Sequence, residues 1–361
     1  MKSSPELLRE AAALLRELIA LPSPSRDEGA TADRLCAFLA ERGVAVERLH
    51  HNVIARSEGY DPARPTLLLN SHHDTVRPAT SWRRDPYTPT LEGDRLYGLG
   101  SNDAGASVVC LVETFLRYRR AALPFNLLLV LSAEEECSGE HGTRAWVPQL
   151  APEITAAIVG EPTSLQAALG ERGLVVLDGT ARGRSGHAAR GEGINALYIA
   201  LEDIQRLRDF TFERVSPLLG PIHIATTMIS AGTQHNVVPD TCRFVVDVRT
   251  TEAYTNEETV ARIQAALQSE VVPRSTRIRA SVIAEDHPLV RAALATGAEP
   301  FVSPTASDRT LMPFPALKIG PGDSARSHTA DEYIRLGELE AGLDTYAAII
   351  EQLAYGNETL G

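Results

Sequence analysis

Apolar positions recur with two different periods along this chain. Near the N-terminus, Leu7, Leu8, Ala11, Leu14, Leu15, Leu18 and Ile19 stand at helical spacing and predict an amphipathic helix over Pro5–Leu21. Glu6, Arg9, Glu10, Arg16 and Glu17 interrupt that segment, so it reads as neither a signal peptide nor a membrane span. Further helices are predicted at Asp27–Arg42 and Ala104–Arg119. Apolar runs between them predict strands at Val44–Leu49, Val53–Ser57, Thr66–Ser71, Asn126–Ser132 and Ala156–Gly160. Several of these, such as Leu67-Leu68-Leu69, are too continuously apolar to alternate, as expected of strands covered on both faces. The first half therefore reads as an α/β layered domain.

After about Gly173 the pattern changes. Strands are predicted at Leu174–Arg182, Ile222–Ala231, Thr241–Thr250 and Arg277–Ala284, with helices at Gly193–Arg208 and Glu257–Glu270. Two helices on a four-stranded sheet would make a small α+β domain. From His287 the α/β pattern returns and ends in a helix over Leu336–Tyr355. Residues 1–173 and 285–361 thus read as one domain, into which 174–284 is inserted.

Composition narrows the function. The net charge is −12 with both signs interspersed, which argues against a nucleic-acid partner, and no segment calls for a membrane. Cys36, Cys110, Cys137 and Cys242 are scattered and form no CxxC pair, which suits reduced thiols in a cytoplasmic protein.

The chemistry starts where the Leu67–Asn70 strand runs into Ser71-His72-His73-Asp74. Positions i and i+2 of a strand face the same way, so His72 and Asp74 can share a face, one binding a metal and the other orienting it. Four more polar clusters fall at predicted strand ends, where α/β sheets build their sites. They are Gly100–Gly105 (Gly-Ser-Asn-Asp-Ala-Gly), Ser132–Glu136 (Ser-Ala-Glu-Glu-Glu), Gly160–Thr163 (Gly-Glu-Pro-Thr) and Gly320–His328. Singly, a Gly/Asn/Asp run is a turn and three glutamates are a solvated helix start. Together they give an ordered set: His-x-Asp, a glycine-flanked Asp, a Glu pair, Glu-Pro and a late His.

That order resembles the co-catalytic zinc deacylases and carboxypeptidases of the acetylornithine deacetylase / succinyl-diaminopimelate desuccinylase family, over essentially the whole chain. The resemblance implies a three-layer zinc-peptidase-like catalytic domain with an inserted α+β lid that also forms a homodimer. It implies two Zn2+ per chain, with Co2+ or Mn2+ as possible replacements. His72 and Glu161 would hold one ion, His328 and Glu136 the other, and Asp103 would bridge them, while Asp74 would orient His72. These ligands leave one positive charge of two zinc ions uncompensated, which a bridging hydroxide would balance. Aligned on Gly142-Thr143, Glu135 is the general base and Glu136 the ligand; the register with Glu134 as base and Glu135 as ligand stays open. The family's Asp-Met-Lys-Gly is Asp103-Ala104-Gly105-Ala106 here, so the wall beside the bridging residue is smaller and lacks a cation.

In the insertion, Gly183–Ala189 matches a family segment whose histidine, here His187, stabilises the tetrahedral oxyanion in the partner subunit's site. Asn236 and Arg249 match positions that bind the substrate carboxylate. His73 would point away from the site, and His50, His51, His141, His223 and His287 match no motif. The implied activity is hydrolysis of the amide bond of a small N-acyl amino acid, with N-acetylornithine to ornithine and acetate, in arginine biosynthesis, as the leading substrate. N-succinyl-diaminopimelate, N-acyl-citrulline and dipeptides are the alternatives. A catalytically inactive binding protein on the same scaffold is the non-enzyme alternative.

Overall fold

The computed structural model describes residues 4–356 and Leu360. The first elements in chain order are α1 (Pro5–Ile19), α2 (Gly29–Glu41), β1 (Val46–Leu49), β2 (Asn52–Arg56) and β3 (Thr66–His72). They are followed by β4 (Thr90–Glu92), β5 (Arg95–Tyr97), α3 (Ala106–Tyr118), β6 (Asn126–Ser132), α4 (Thr143–Leu150) and β7 (Ala156–Val159). Next come β8 (Ala167–Glu171), β9 (Gly173–Arg182), β10 (Gly186–His187), α5 (Ala196–Asp209), β11 (His223–Ala231) and β12 (Val237–Val238). After β13 (Thr241–Thr250), α6 (Asn256–Ala266), β14 (Glu270–Pro273) and β15 (Ser281–Val282) comes α7 (Pro288–Leu294). The chain closes with β16 (Pro300–Ser303), β17 (Ala316–Lys318), β18 (Tyr333–Arg335) and α8 (Leu336–Tyr355). It divides into two compact units. The first runs to Leu169 and takes in Ile283–Phe301 and the chain from Ser307; the second is Gly170–Val282 with Val302–Ala306.

The first unit is built on a sheet in the order β1-β2-β6-β3-β7-β17. Its strands are parallel from β6 through β17. The unbroken apolar strands have the cause their pattern implies, because both faces of this sheet are covered. Leu67 and Leu69 of β3 enter one core with Leu14 and Leu15 of α1, Val108 of α3 and Leu343 of α8. Leu68, pointing the other way, enters a second core with Trp146 of α4 and Met312. Each such buried leucine stabilises the fold by about 1.5–3 kcal/mol. The result is a three-layer α/β/α arrangement. Because β3, β6 and β7 run in parallel, their carboxyl ends open on one edge of the sheet.

The second unit has a four-stranded antiparallel sheet, ordered β11-β13-β9-β14. Ala200 and Leu207 of α5 and Ile263 of α6 pack on Val175, Leu177 and Val246 of that sheet. The expected sheet and two helices are present, but the fourth strand is not the one expected. It is β14 at Glu270–Pro273, and β15 instead pairs with Gly170 and Glu171 of β8. The helix expected to reach Glu270 stops at Ala266 because the buried Asp203 carboxylate accepts from the amides of Gln268 (3.1 Å) and Ser269 (2.7 Å). With those amides committed to Asp203, the chain turns early and is extended by Glu270.

Candidate metal centre

Three parallel strand ends carry the site. β3 ends in His72, whose strand register places it opposite Ser132 at the end of β6, and β7 ends just before Glu161. Nε2 of His72 lies 3.2 Å from Oδ1 of Asp103, 3.8 Å from Oε1 of Glu161 and 4.0 Å from Oε2 of Glu135. The other ring nitrogen, Nδ1, faces the backbone oxygen of Asp74 at 3.1 Å and its Oδ1 at 3.4 Å. Asp74 therefore orients His72 through its carbonyl as well as its carboxylate.

The Asp74 carboxylate has a second task. Its two oxygens accept from the amides of Glu135 (3.0 Å) and Glu136 (3.1 Å), and Ser25 Oγ donates to it at 2.7 Å. That fixes the turn after β6, in which Glu134 takes a left-handed φ of 54°. The three glutamates face different ways. The Glu134 carboxylate accepts from the His141 amide at 3.2 Å, turned toward the 139–141 loop. Glu135 faces His72, and Glu136 lies 2.9 Å from Nε2 of His328.

Asp103 stands between the histidines, with Oδ1 toward His72 and Oδ2 3.7 Å from Nε2 of His328. It is held by Glu332, a buried carboxylate that accepts from the amides of Gly100 (3.1 Å), Asn102 (2.8 Å) and Asp103 (2.9 Å). Gly100 has a φ of 75°, a backbone state that a side chain would strain.

So many carboxylates in a buried space cannot all be ionised without added positive charge. Burial pushes Glu161 up to about 8, with Asp103 and Glu136 adding to the effect against Lys318 and His72. Burial also holds Glu135 well above the usual carboxylate range, helped by Glu161, Asp308 and Glu136. Burial favours neutral His72, but Glu135, Asp103, Asp74 and Glu161 together hold its pKa well above that of ordinary imidazole. The hydrogen bond to Glu136 raises His328 to about 9. The ligand-type atoms converge in three groups, each within 4.8 Å: His72/Asp103/Glu161, His72/Glu135/Glu136 and Asp103/Glu136/His328. Imidazole and carboxylate donors around shared Asp103 and Glu136 suit a pair of divalent cations, which would take the place of the protons this cluster otherwise retains.

A profile of peptidase family M20/M25/M40 matches residues 68–352. The chain belongs to that family. Curated relatives include the succinyl-diaminopimelate desuccinylase of Parvibaculum lavamentivorans, 28% identical across 92% of this chain and 93% of the relative. The acetylornithine deacetylase of Myxococcus xanthus is also 28% identical, across 91% of this chain and 93% of its own. Among solved structures, the Bacillus cereus aminopeptidase PepT superposes with a TM-score of 0.77 at 18% identity, covering 96% of this chain and 98% of the other. A Bacillus subtilis M20 protein described as a dinuclear metal-binding peptidase gives 0.71 at 15% identity, covering 96% and 98%. The family named from the sequence motifs holds, as does the fold, and the M20 chain is a metal-dependent hydrolase of amide bonds. Deacetylase and desuccinylase relatives stand at the same identity, so identity alone leaves the acyl group open.

The remaining residues singled out in the sequence of this M20 protein lie in the second unit. His187 pairs in register with Val237, next to Asn236, whose carbonyl accepts from the Ala188 amide at 3.0 Å. The Arg249 guanidinium is held bidentately by Asp247, at 2.8 and 3.1 Å, so a substrate carboxylate would compete with that pair. Three buried acids near the cluster, Glu332, Asp308 and Glu28, are not among the residues the sequence pattern predicts for the site. Asp308, raised to about 6 chiefly by burial, has an Oδ2 with no hydrogen-bond partner among the described residues. Glu28 lies behind the glutamate turn, and its only local sign is the Pro22-Ser23-Pro24-Ser25 run before α2. No helix among the described residues is long and apolar enough to cross a membrane.

Proposed function

We propose that this protein hydrolyses the amide bond of a small N-acyl amino acid with a free carboxylate, N-acetylornithine being the leading substrate. The observation that carries the reading is Asp103 placed between His72 and His328, with Glu161 beside the first and Glu136 beside the second. In it His72 and Glu161 would hold one zinc ion and His328 and Glu136 the other, with Asp103 contributing to both. Bound there, two divalent cations supply the positive charge that acidifies water and polarises a carbonyl. Glu135 takes a proton from the attacking water and delivers it to the departing amine. Asp74 keeps His72 and the glutamate turn in register, and the turning away of the Glu134 carboxylate supports the Glu135/Glu136 assignment.

The second unit acts as lid and dimerisation domain in this reading. His187 stabilises the oxyanion in the partner's site, and Asn236 and Arg249 bind the substrate carboxylate. Its sheet ends in β11, an edge strand that exposes Met228 and Ile229, as a self-pairing surface would. A second substrate, N-succinyl-diaminopimelate, is favoured by the desuccinylase names among the curated relatives. The test is kcat/KM of metal-loaded protein for N-acetylornithine, N-acetylcitrulline, N-succinylcitrulline and N-succinyl-diaminopimelate. The leading reading expects N-acetylornithine to rank first by at least tenfold; a higher value for either succinylated substrate would replace it.

A further inference from the structure

Three consecutive amides in the glutamate turn donate to carboxylates that lie outside it. Those of Glu135 and Glu136 go to Asp74, as described. The third, of Glu134, goes to Oε1 of Glu28 at 3.1 Å. Glu28 is fully buried, in the connection between α1 and α2, and is not one of the converging ligand-type residues. Its carboxylate is fully engaged. Oε1 also accepts from the Arg26 amide at 2.6 Å, and Oε2 lies 2.9 Å from Nδ1 of half-exposed His51.

The same connection is tied to the end of β3. The Thr75 amide donates to Ser23 O at 2.8 Å, the Ser25 amide to Thr75 O at 3.2 Å, and Ser25 Oγ to Asp74. Ser23–Glu28 is thus a brace that touches both the strand bearing His72 and the turn bearing Glu135. We propose that Glu28, steadied by His51, is a positioning residue for the general base.

The physical reason lies at Glu134. A left-handed φ is unfavourable for a residue with a Cβ and persists only where its surroundings fix it. Its carbonyl is held by the Gly139 amide at 3.0 Å and its carboxylate by the His141 amide, while Glu28 alone holds its N–H. Without that acceptor the buried N–H is unpaired, and the Ala133–Glu134 peptide that leads into the turn is free to rotate. Asp74 continues to hold the next two amides, so the metal ligands stay in place while the base loses its aim.

The inference rests on Glu135 being the base. Its test compares wild type, E28A, E28Q and H51A by kcat and KM on N-acetylornithine, by metal content, and by amide hydrogen exchange over residues 134–137. For E28A we expect kcat to fall 10- to 100-fold with KM within twofold, two metals retained per chain, and faster exchange at Glu134. E28Q should recover to within about threefold of wild type, since its amide oxygen can still accept both N–H groups. H51A should fall between the two. Wild-type kcat in folded E28A, an equal loss in E28Q, or a loss that follows departing metal would each overturn the proposal. Should E28A fail to fold, H51A decides it: unchanged kcat and unchanged exchange at Glu134 would refute the brace. If wild type hydrolyses no N-acyl amino acid, the functional reading fails by itself, and the exchange data still judge the brace.

Discussion

Glu135 and Glu136 are adjacent in sequence but differ in chemical surroundings. Glu135 faces buried His72 across 4.0 Å, whereas Glu136 is 2.9 Å from the half-exposed His328. E135Q should therefore lower kcat by about 10²–10⁴-fold while two metals per chain remain, the usual range for loss of a general base. E136Q should lose one equivalent of metal. Metal analysis of both variants checks this, and the opposite pattern would exchange their roles. A second prediction concerns Glu113 in α3, outside the metal cluster. Its Oε1 is buried without a hydrogen-bond partner among the described residues, and burial, reinforced by Glu10, raises its pKa to about 7 from an ordinary 4.5. A carboxyl raised in the folded state contributes stability below pH 4.5 that is lost as pH climbs through 7. Taken to pH 8, that loss is of the order of 3 kcal/mol. E113Q should accordingly match wild type in thermal stability at pH 4.5 and exceed it at pH 8; equal shifts at both would refute the assignment.

At the scale of elements, the site depends on turns held from a distance. Glu332 takes three amides of the 100–103 turn, from more than 200 positions along the chain. E332A leaves three buried N–H groups without acceptors, at about 1–3 kcal/mol each. It should lower the urea midpoint and weaken metal binding through Asp103, with E332Q retaining part of both; unaltered metal affinity in folded E332A would show that Asp103 is held by other means. Such braces are the part of the site that was not legible in the sequence. β3, β6 and β7 were readable because strands covered on both faces must be continuously apolar. The ligand-type residues were readable because each sits at the end of such a strand or in a glycine-rich turn. Glu28 and Glu332 were not, since a buried carboxylate accepting remote amides leaves no periodic trace, and Asp308, a lone buried acid outside any strand end, leaves none either. The end of α6 was misread for the same reason, being fixed by Asp203 from another helix.

For the whole molecule, membership of the M20 family, the α/β/α sheet and the ordered polar clusters agree on metal-dependent amide hydrolysis. The exposed edge of β11 adds a prediction about assembly. If the second unit dimerises there, a charged substitution such as Ile229→Lys should yield monomers that bind metal normally but lose most turnover; a fully active monomer would remove His187 from the partner's site. In the proposed reaction the His72–Asp103–His328 cluster works with two cations. The most direct test is to strip the protein with a chelator, return zinc stepwise, and follow bound metal and N-acetylornithine hydrolysis together. The stripped protein should show no turnover, with activity that rises with added zinc and saturates near two ions per chain. Undiminished hydrolysis after metal removal, or two bound ions with no turnover of any N-acyl amino acid, would contradict two-cation catalysis.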